Sequence, residues 1–193
     1  MIKIRLANFA GPILTGGENM NHTKNQDIVL IAAVSRNNVI GIDGKIPWDL
    51  PEDRKRFSNL TKGYPIIMGR VTYGTLPPKF RPLPGRQNFV LTSDQSFCED
   101  GVYAARSLEK ALHDLGDRRL HVDGIDYSKI FIGGGQKVYE AAMEHATMLE
   151  ITHVDQYVDG SELRYFPKID RARWKEKELL DREGYSFVTY VRR

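Results

Sequence analysis

The sequence predicts an α/β domain built around a mainly parallel β-sheet. Short apolar runs rich in β-branched residues recur along the chain, and each has the length of a buried strand. These runs lie at residues 28–34, 66–68, 89–91, 130–132 and 148–152. Helix-like stretches separate them at about 51–61, 107–115 and 135–146. Such alternation is typical of a parallel sheet with helices on both faces.

The two ends of the chain differ from this pattern. Residues 174–180 and 185–191 alternate apolar and polar side chains around Gly184, which predicts a terminal hairpin. Residues 1–26 are rich in glycine and then polar, unlike the patterned sequence after them. We interpret residues 1–26 as an N-terminal extension and residues 27–193 as one domain.

Composition narrows the class of protein. Hydrophobic residues make up 41% of the chain and charged residues 27%, which is typical of a soluble globular domain. Cys98 is the single cysteine, so no intrachain disulfide can form and a cytoplasmic location is expected. No apolar run approaches the roughly 20 residues of a membrane helix. The formal net charge is +3, with basic residues scattered rather than clustered, which favours anionic small molecules over nucleic acid.

One predicted helix carries an acid on its apolar face. Pro51 suits the first helical position, and acidic residues after it suit the positive end of the helix dipole. Asp53 shares its face with Phe57 and Leu60, whereas Glu52, Arg56 and Asn59 are predicted to face solvent. Burial raises the pKa of a carboxyl group, which suits it to bind or protonate a ligand. The alternative is an acid that only caps its own helix.

A loop rich in glycine and proline precedes this helix. Within residues 41–51, Trp48 is the unusual member, since a loop tryptophan must cover either core or ligand. Together with Ile46 it could exclude water from a site beside Asp53, as a lid would. Packing in the core is the alternative interpretation of Trp48.

Two glycine turns each follow a predicted strand and open a predicted helix. The first is Gly69-Arg70-Val71-Thr72, and the second is Gly133-Gly134-Gly135-Gln136-Lys137. Backbone N–H groups in such turns can bind an anion, although glycine also serves tight turns for purely conformational reasons. Two of them in one parallel sheet favour a dinucleotide, but neither matches the G-x-G-x-x-G pattern of the common dinucleotide fold.

Six motifs in order resemble the dihydrofolate reductase family, most closely its bacterial type, from about Ile28 to the C-terminus. They are Ile31-Ala32-Ala33, Val39-Ile40-Gly41, the segment 46–53, the segment 67–73, the segment 81–88 and the segment 132–135. The resemblance implies an eight-stranded, mostly parallel sheet with an antiparallel C-terminal strand and about four flanking helices. It also implies reduction of 7,8-dihydrofolate to 5,6,7,8-tetrahydrofolate by hydride from NADPH, with antifolates as further ligands and a monomeric enzyme of one-carbon metabolism.

The resemblance gives each candidate residue a role. Three residues match catalytic positions: Asp53 binds the pterin and promotes its protonation, Thr152 supports Asp53, and Trp48 lies beside them. The substrate pocket is expected to be formed by Ile31, Ala32, Asp53, Arg54, Phe57, Leu76, Leu83, Arg86, Gly133, Tyr139 and Thr152. Within it, Arg86 is expected to bind the α-carboxylate of the substrate with two parallel hydrogen bonds.

On the cofactor side, the expected 2′-phosphate site contains Arg70, Thr92 and Ser93, which would select NADPH over NADH. The full set of expected cofactor residues is Ala33, Ile40, Gly41, Ile46, Gly69, Arg70, Val71, Thr72, Leu91, Thr92, Ser93, Gly134, Gly135, Gln136, Lys137, Val138 and Tyr139. Counting back from Tyr139 places the family's glycine pair, with its cis peptide bond, at Gly134-Gly135, and the alternative by one residue is Gly133-Gly134.

Besides the one-residue alternative at the glycine pair, two features depart from the family pattern, and two rival functions compete with the one that it implies. Arg54 occupies a position that is usually apolar, and residues 115–129 are longer than in compact bacterial enzymes, which predicts a surface insertion. One rival is a reductase of the same fold acting on a pyrimidine of riboflavin synthesis, and Asp53 and Arg86 argue against it. The other rival, a basic nucleic-acid-binding module, leaves the buried acid and the glycine turns unexplained.

Overall fold

A central sheet of eight strands organises the protein, which the computed structural model describes over residues 26–193. Of the predicted extension, all but Gln26 lies outside the described residues. The strands are β1 (Asp27–Ser35), β2 (Val39–Gly41), β3 (Pro65–Gly69), β4 (Gln87–Leu91), β5 (Val102–Ala105), β6 (Lys129–Ile132), β7 (Met148–Val154), β8 (Arg164–Tyr165), β9 (Trp174–Arg182) and β10 (Tyr185–Arg192). The α-helices over this range are α1 (Pro51–Thr61), α2 (Arg70–Thr75), α3 (Leu108–Gly116) and α4 (Gln136–Ala142).

The order of strands across the sheet is β5-β4-β3-β6-β1-β7-β10-β9. The pairs from β5 to β7 are all parallel, and β10 runs antiparallel to both of its neighbours. This arrangement confirms the predicted mostly parallel sheet with an antiparallel C-terminal strand. Because the parallel strands share one direction, the loops after β1, β3, β4, β6 and β7 meet at one edge of the sheet.

The helices cover both faces of the sheet, as the alternation of elements predicts. Alternate residues of each strand enter different core clusters: Ile31 packs with α2, and Leu30 packs with α3 and α4. Phe57 and Leu60 of α1 pack against the same cluster as Ile31. The face of β1 that carries Ile31 is therefore the face on which α1 lies.

Most predicted bounds are close to the observed ones. Helix α1 spans the predicted residues, and α3 begins after Ser107, whose hydroxyl accepts from the Lys110 N–H at 3.2 Å. The prediction for α4 was too long, because the helix ends at Ala142 rather than at residue 146. The small β2-β8 sheet and β5 were not predicted. Two 3-10 turns, Pro78–Phe80 and Arg118–Leu120, complete the elements.

The chain after α4 is fastened by Arg192 near the C-terminus. The Arg192 Nε donates to the Ala146 carbonyl at 2.5 Å, and its Nη2 donates to the carbonyls of Met143 and Glu144 at 2.8 and 2.7 Å. The guanidinium also lies 5.0 Å from the centre of the buried Trp174 ring. These three carbonyls lie in the segment that follows the C-terminus of α4, so one side chain supplies donors that the helix does not.

We expect Arg192→Ala to lower the free energy of unfolding by about 1–3 kcal/mol, because it leaves several carbonyls without a donor and removes the contact with Trp174. Urea titration followed by circular dichroism measures the change. Arg173→Ala is the matched control: Arg173 makes two bonds to the exposed Glu144, and such a surface pair contributes at most about 1 kcal/mol. Equal losses in both variants would contradict the assigned role of Arg192.

Candidate functional site

The two predicted glycine turns lie side by side because β3 and β6 are neighbours in the sheet. The Gly69 N–H donates to the Gly134 carbonyl at 2.7 Å, and the Gly133 N–H donates to the Ile67 carbonyl at 2.8 Å. The Gly134–Gly135 peptide bond is cis, which confirms the register predicted for this turn. Backbone from two neighbouring strands is thus joined into one surface at the edge of the sheet.

Side chains are excluded from this surface by close packing. Gly134 has φ +93°, and a Cβ there would lie 2.6 Å from the Tyr139 ring. A Cβ on Gly135 would lie 3.0 Å from the Thr72 hydroxyl oxygen, and one on Gly69 would lie 3.3 Å from a methyl group of Val138. Glycine at these positions lets a ligand approach the backbone closely, which is what a pyrophosphate group requires.

The carboxyl group of Asp53 lies on the inner side of α1, as its spacing from Phe57 and Leu60 predicts. The Thr152 hydroxyl, on β7, donates to Asp53 Oδ1 at 2.5 Å. Burial raises the pKa of the Asp53 carboxyl above its ordinary value, while the hydrogen bond from Thr152 and the positive charge of Arg56 oppose that rise. A carboxyl group with a raised pKa can exchange a proton closer to neutral pH.

Two aromatic residues of the expected site, Tyr139 and Trp48, carry polar groups that are buried. The Tyr139 hydroxyl donates to the Ile31 carbonyl at 2.7 Å, and burial together with the charge of Asp53 raises the pKa of that hydroxyl. Tyr139 therefore remains a neutral donor that connects α4 to β1. Trp48 is half-buried, and its indole N–H is buried without a hydrogen-bond partner in the described residues. Such a donor suits a water molecule or a polar ligand atom.

The expected pocket walls divide between the two faces of β1. Ile31 and Leu83 are buried in one cluster, with Phe57 and Leu76 packed against it. Ala32 packs in the cluster on the opposite face, with Ile40 and Leu91, so it does not share the α1 face with Ile31. Ala33 is paired directly with Thr152 in the register of β1 and β7.

Arg86 is held at the end of α1 by hydrogen bonds that its guanidinium donates to loop and helix oxygens. Its Nε donates to the Thr61 hydroxyl at 2.7 Å, its Nη1 to the Pro84 carbonyl at 2.8 Å, and its Nη2 to the carbonyl and hydroxyl of Ser58 at 3.2 Å. Arg54 is exposed and pairs with Asp49 in the preceding loop. Arg54 therefore lies on the same helix as Asp53, and Arg86, from the loop before β4, contacts the C-terminal end of that helix.

The expected phosphate-binding residues meet beside the first glycine turn. Gly69 is paired with Leu91 across β3 and β4, so Arg70 and Ser93 leave the sheet next to each other. Both are exposed, whereas Thr92 is largely buried and its hydroxyl accepts from the Asp94 N–H at 3.1 Å. Hydrogen bonds from Ser96 lower the pKa of Asp94, and the charge of Arg70 contributes.

Several other expected cofactor residues lie on the protein surface. Ile46 and Val71 are 65% and 72% exposed, and Lys137 is also exposed. The Gln136 side chain is engaged elsewhere, because its Oε1 accepts from the Tyr165 N–H and its Nε2 donates to Glu140, both at 2.9 Å. Gly41 precedes a two-residue turn that closes the Ile42–Lys45 bridge.

One sequence prediction on α1 was wrong. Arg56 does not face solvent: its side chain is 20% exposed and pairs with Glu150 of β7, whose side chain is 10% exposed. Sequence reasoning missed this pair, although Glu150 interrupts the apolar run of residues 148–152. A lone acid in a buried strand signals a cationic partner, since a charged side chain is rarely buried unpaired.

Within residues 26–193 no helix combines the length and hydrophobicity that crossing a bilayer requires.

Known proteins of one family match almost the whole chain. The family model described as dihydrofolate reductase matches residues 27–192.

Three relatives illustrate the similarity. The dihydrofolate reductase HdrB of Haloferax volcanii is 37% identical over 186 residues, covering 96% of this chain and 93% of that protein. A dihydrofolate reductase of Neisseria meningitidis serogroup A is 42% identical over 171 residues, covering 86% and 98%. A type 3 dihydrofolate reductase of Salmonella typhimurium is 37% identical over 172 residues, covering 86% and 98%. This chain therefore belongs to the dihydrofolate reductase family, a family of oxidoreductases that act in folate metabolism.

Proposed function

We propose that this enzyme reduces 7,8-dihydrofolate to 5,6,7,8-tetrahydrofolate with hydride from NADPH, and that Asp53 binds the pterin and promotes its protonation. One observation carries the proposal most strongly. A carboxyl group with a raised pKa, held by Thr152, acts by its charge on the hydroxyl of Tyr139, and the Tyr139 ring lies against Gly134 of the joined glycine turns. That combination provides a proton-exchanging group and a surface for a dinucleotide in one site.

Asp53 can bind and orient a pterin because one of its oxygens remains available. Thr152 donates to Oδ1, so Oδ2 can accept from the amino group or ring N–H of a pterin. The hydrogen bond from Thr152 also fixes the direction in which the carboxyl group points. NADPH supplies hydride to a pterin carbon when bound, and the proton for the neighbouring nitrogen enters under the control of Asp53.

Trp48 and Tyr139 support that proton transfer from two sides. The unpartnered indole N–H of Trp48 can hold a water molecule near the carboxyl group. The bond from Tyr139 to the Ile31 carbonyl holds the β1 backbone next to the glycine turn. We assign the pterin pocket walls to Ile31, Phe57, Leu76 and Leu83, with Ala32 and the backbone of Gly133 at its border.

The residues at the sheet edge fit NADPH. A ligand phosphate can approach the Gly134-Gly135 backbone closely, since neither residue carries a side chain and the packing of Tyr139 and Thr72 leaves no room for one. Arg70, Thr92 and Ser93 would hold the 2′-phosphate, and Gly69, Val71, Thr72 and the 135–138 segment would surround the pyrophosphate. The nicotinamide would lie against Ala33, Ile40, Gly41, Ile46 and Tyr139, with Leu91 nearer the adenosine end.

Arg86 is proposed to bind the α-carboxylate of the substrate. Its two bonds to Ser58 are its longest, at 3.2 Å, and an ionised carboxylate is a stronger acceptor than either. Arg54 would make this end of the pocket more polar toward the substrate and toward antifolates. We further propose that the enzyme acts as a monomer in the cytoplasm, in agreement with its single cysteine and scattered charge.

We expect Asp53→Asn to fold and to lose at least about a hundredfold in turnover at neutral pH, because an amide can neither exchange the proton nor stabilise a protonated pterin. The assay follows NADPH absorbance with and without dihydrofolate. Glu52→Gln is the matched control: Glu52 is exposed on the same helical turn and bonds to Arg182 and Tyr185. Near-normal turnover in Asp53→Asn would refute the proposed function.

Arg86→Ala should weaken dihydrofolate binding by about 2–5 kcal/mol, because the substrate carboxylate loses its partner. Fluorescence titration measures the affinity. A dihydropterin that lacks the glutamate tail is the matched ligand, and its affinity should stay unchanged. Arg86→Lys should recover only part of the loss, since lysine cannot form two parallel bonds. If both ligands weaken equally, Arg86 supports the fold of α1 through Ser58 and Thr61 instead.

Arg70→Ala should narrow the preference for NADPH over NADH by about tenfold or more, since Arg70 is expected to contact only the 2′-phosphate. Steady-state kinetics with each cofactor give the ratio of kcat/KM values. Lys137→Ala provides the comparison, because a contact with the pyrophosphate should weaken both cofactors alike. Equal losses with both cofactors in Arg70→Ala would show that Arg70 does not read the 2′-phosphate.

A further inference from the structure

Two polar contacts, spaced along α1 and β7, join the helix to the sheet. Asp53 bonds to Thr152, and Arg56 pairs with Glu150. Asp53 and Arg56 are three residues apart on the helix, so they share a face. Glu150 and Thr152 are two residues apart on the strand, so they also share a face. The mostly buried Arg56–Glu150 pair is therefore the neighbour of the Asp53–Thr152 contact.

A third element, β10, also contacts the Arg56–Glu150 pair. The Thr189 hydroxyl donates to Glu150 Oε2 at 2.9 Å, and Thr189 lies directly opposite Glu150 in the register of β7 and β10. The Arg56 guanidinium lies 4.8 Å from the centre of the Phe187 ring, and Phe187 lies opposite Thr152. Both charged groups thus have fixed neighbours, which limits the freedom of α1 to move along the sheet.

Several charged or titratable groups surround the Asp53 carboxyl. Arg56 lies on its own helix, Glu150 on β7, Tyr139 on α4 and Tyr185 on β10. Of these, Arg56 is the cation whose charge lowers the pKa of Asp53 against the effect of burial. Glu150 pairs with that cation, and its negative charge partly offsets the effect of Arg56 on Asp53.

We propose that Arg56 and Glu150 form a positioning pair that holds α1 against β7 and sets the electrostatic surroundings in which Asp53 exchanges protons. This inference rests on the proposed role of Asp53 in the reaction. Neither residue touches the pterin pocket in this assignment, and both act through Asp53. The pair makes the pH range of the enzyme depend on two charges outside the binding surface.

Removing either charge of the pair should change the affinity of Asp53 for a proton, in opposite directions for the two partners. Glu150→Gln leaves the charge of Arg56 without its counter-charge, which disfavours proton uptake by Asp53. Arg56→Met removes the cation, which favours proton uptake. The same directions are expected if the proton resides on the pterin, because a neighbouring charge affects protonation of the pterin and of Asp53 in the same direction. The high-pH limb of turnover should therefore move to lower pH in Glu150→Gln and to higher pH in Arg56→Met.

The test uses the full chain and two measurements. Carbon-13 NMR of aspartate-labelled, ligand-free protein follows the titration of the Asp53 carboxyl, whose signal is identified by its absence in Asp53→Asn. The pH profile of turnover is recorded for the same variants. We expect midpoint shifts of about 0.5 pH unit or more in opposite directions for the two single variants. Shifts in the same direction, or no shift in either, would overturn the proposal.

A double variant covers the case in which a single variant fails to fold. Arg56→Met with Glu150→Gln leaves no buried charge without a partner, and such replacements are often neutral for stability. The charge of Arg56 affects proton uptake by Asp53 more strongly than the charge of Glu150 does. The midpoint of the Asp53 titration should therefore move to higher pH in the double variant, by less than in Arg56→Met. An unchanged midpoint in the double variant would overturn the proposal.

Matched controls separate this effect from a general effect of charge. Glu144→Gln and Arg173→Met remove the two partners of an exposed pair between the segments after α4 and before β9, and neither should move the midpoint. Shifts of equal size in these controls would overturn the proposal. If Asp53→Asn keeps near-normal turnover, the proposed function fails. If Asp53→Asn is inactive but the opposite shifts do not occur, only the inference about Arg56 and Glu150 fails.

Discussion

The hydrogen bond between Asp53 and Thr152 is the contact on which the rest of the site depends. It joins α1 to β7, and it holds the carboxyl group that is proposed to control the proton. A half-buried carboxyl group loses hydration, and the loss must be offset by a donor fixed in the structure. Thr152 is that donor because β7 is the neighbour of β1 and presents its even-numbered residues 150 and 152 to α1. The same contact that makes the buried position of Asp53 tolerable also determines where its free oxygen points.

The order of strands determines what lies opposite that carboxyl group. Placing β6 between β3 and β1 brings the two glycine turns together, and it brings Tyr139 within reach of the Ile31 carbonyl. Tyr139 then occupies the space that a side chain on Gly134 would need. Close packing in one place therefore produces open backbone in another, which is the form that a bound dinucleotide requires.

The polar side chains on the inner face of α1 lose hydration on burial, and the hydrophobic contacts of the helix do not replace their hydrogen bonds with water. The helix buries Phe57 and Leu60, but it also brings Asp53 and Arg56 toward the sheet. A buried ion pair contributes little net stability, yet removing one partner leaves an unpaired charge and is strongly destabilising. The pair therefore acts mainly to specify one position of α1 on β7, and the role proposed for Asp53 in proton transfer needs such a specified position.

The sequence by itself determined the strands of the central sheet other than β5, the three longer helices approximately, the glycine turns and the inward direction of Asp53, because each depends on a local pattern or a local turn residue. The resemblance to a family added the role of Thr152 and the register at Gly134-Gly135. Only the tertiary structure decided that Arg56 is buried, since its partner Glu150 is 94 residues away in sequence. It likewise decided that Gln136 bonds to Tyr165 and that Arg192 donates to the carbonyls that follow α4. A helical period shows which side of a helix a residue occupies, but a polar residue at the border of that side is buried or exposed according to what a distant strand places against it.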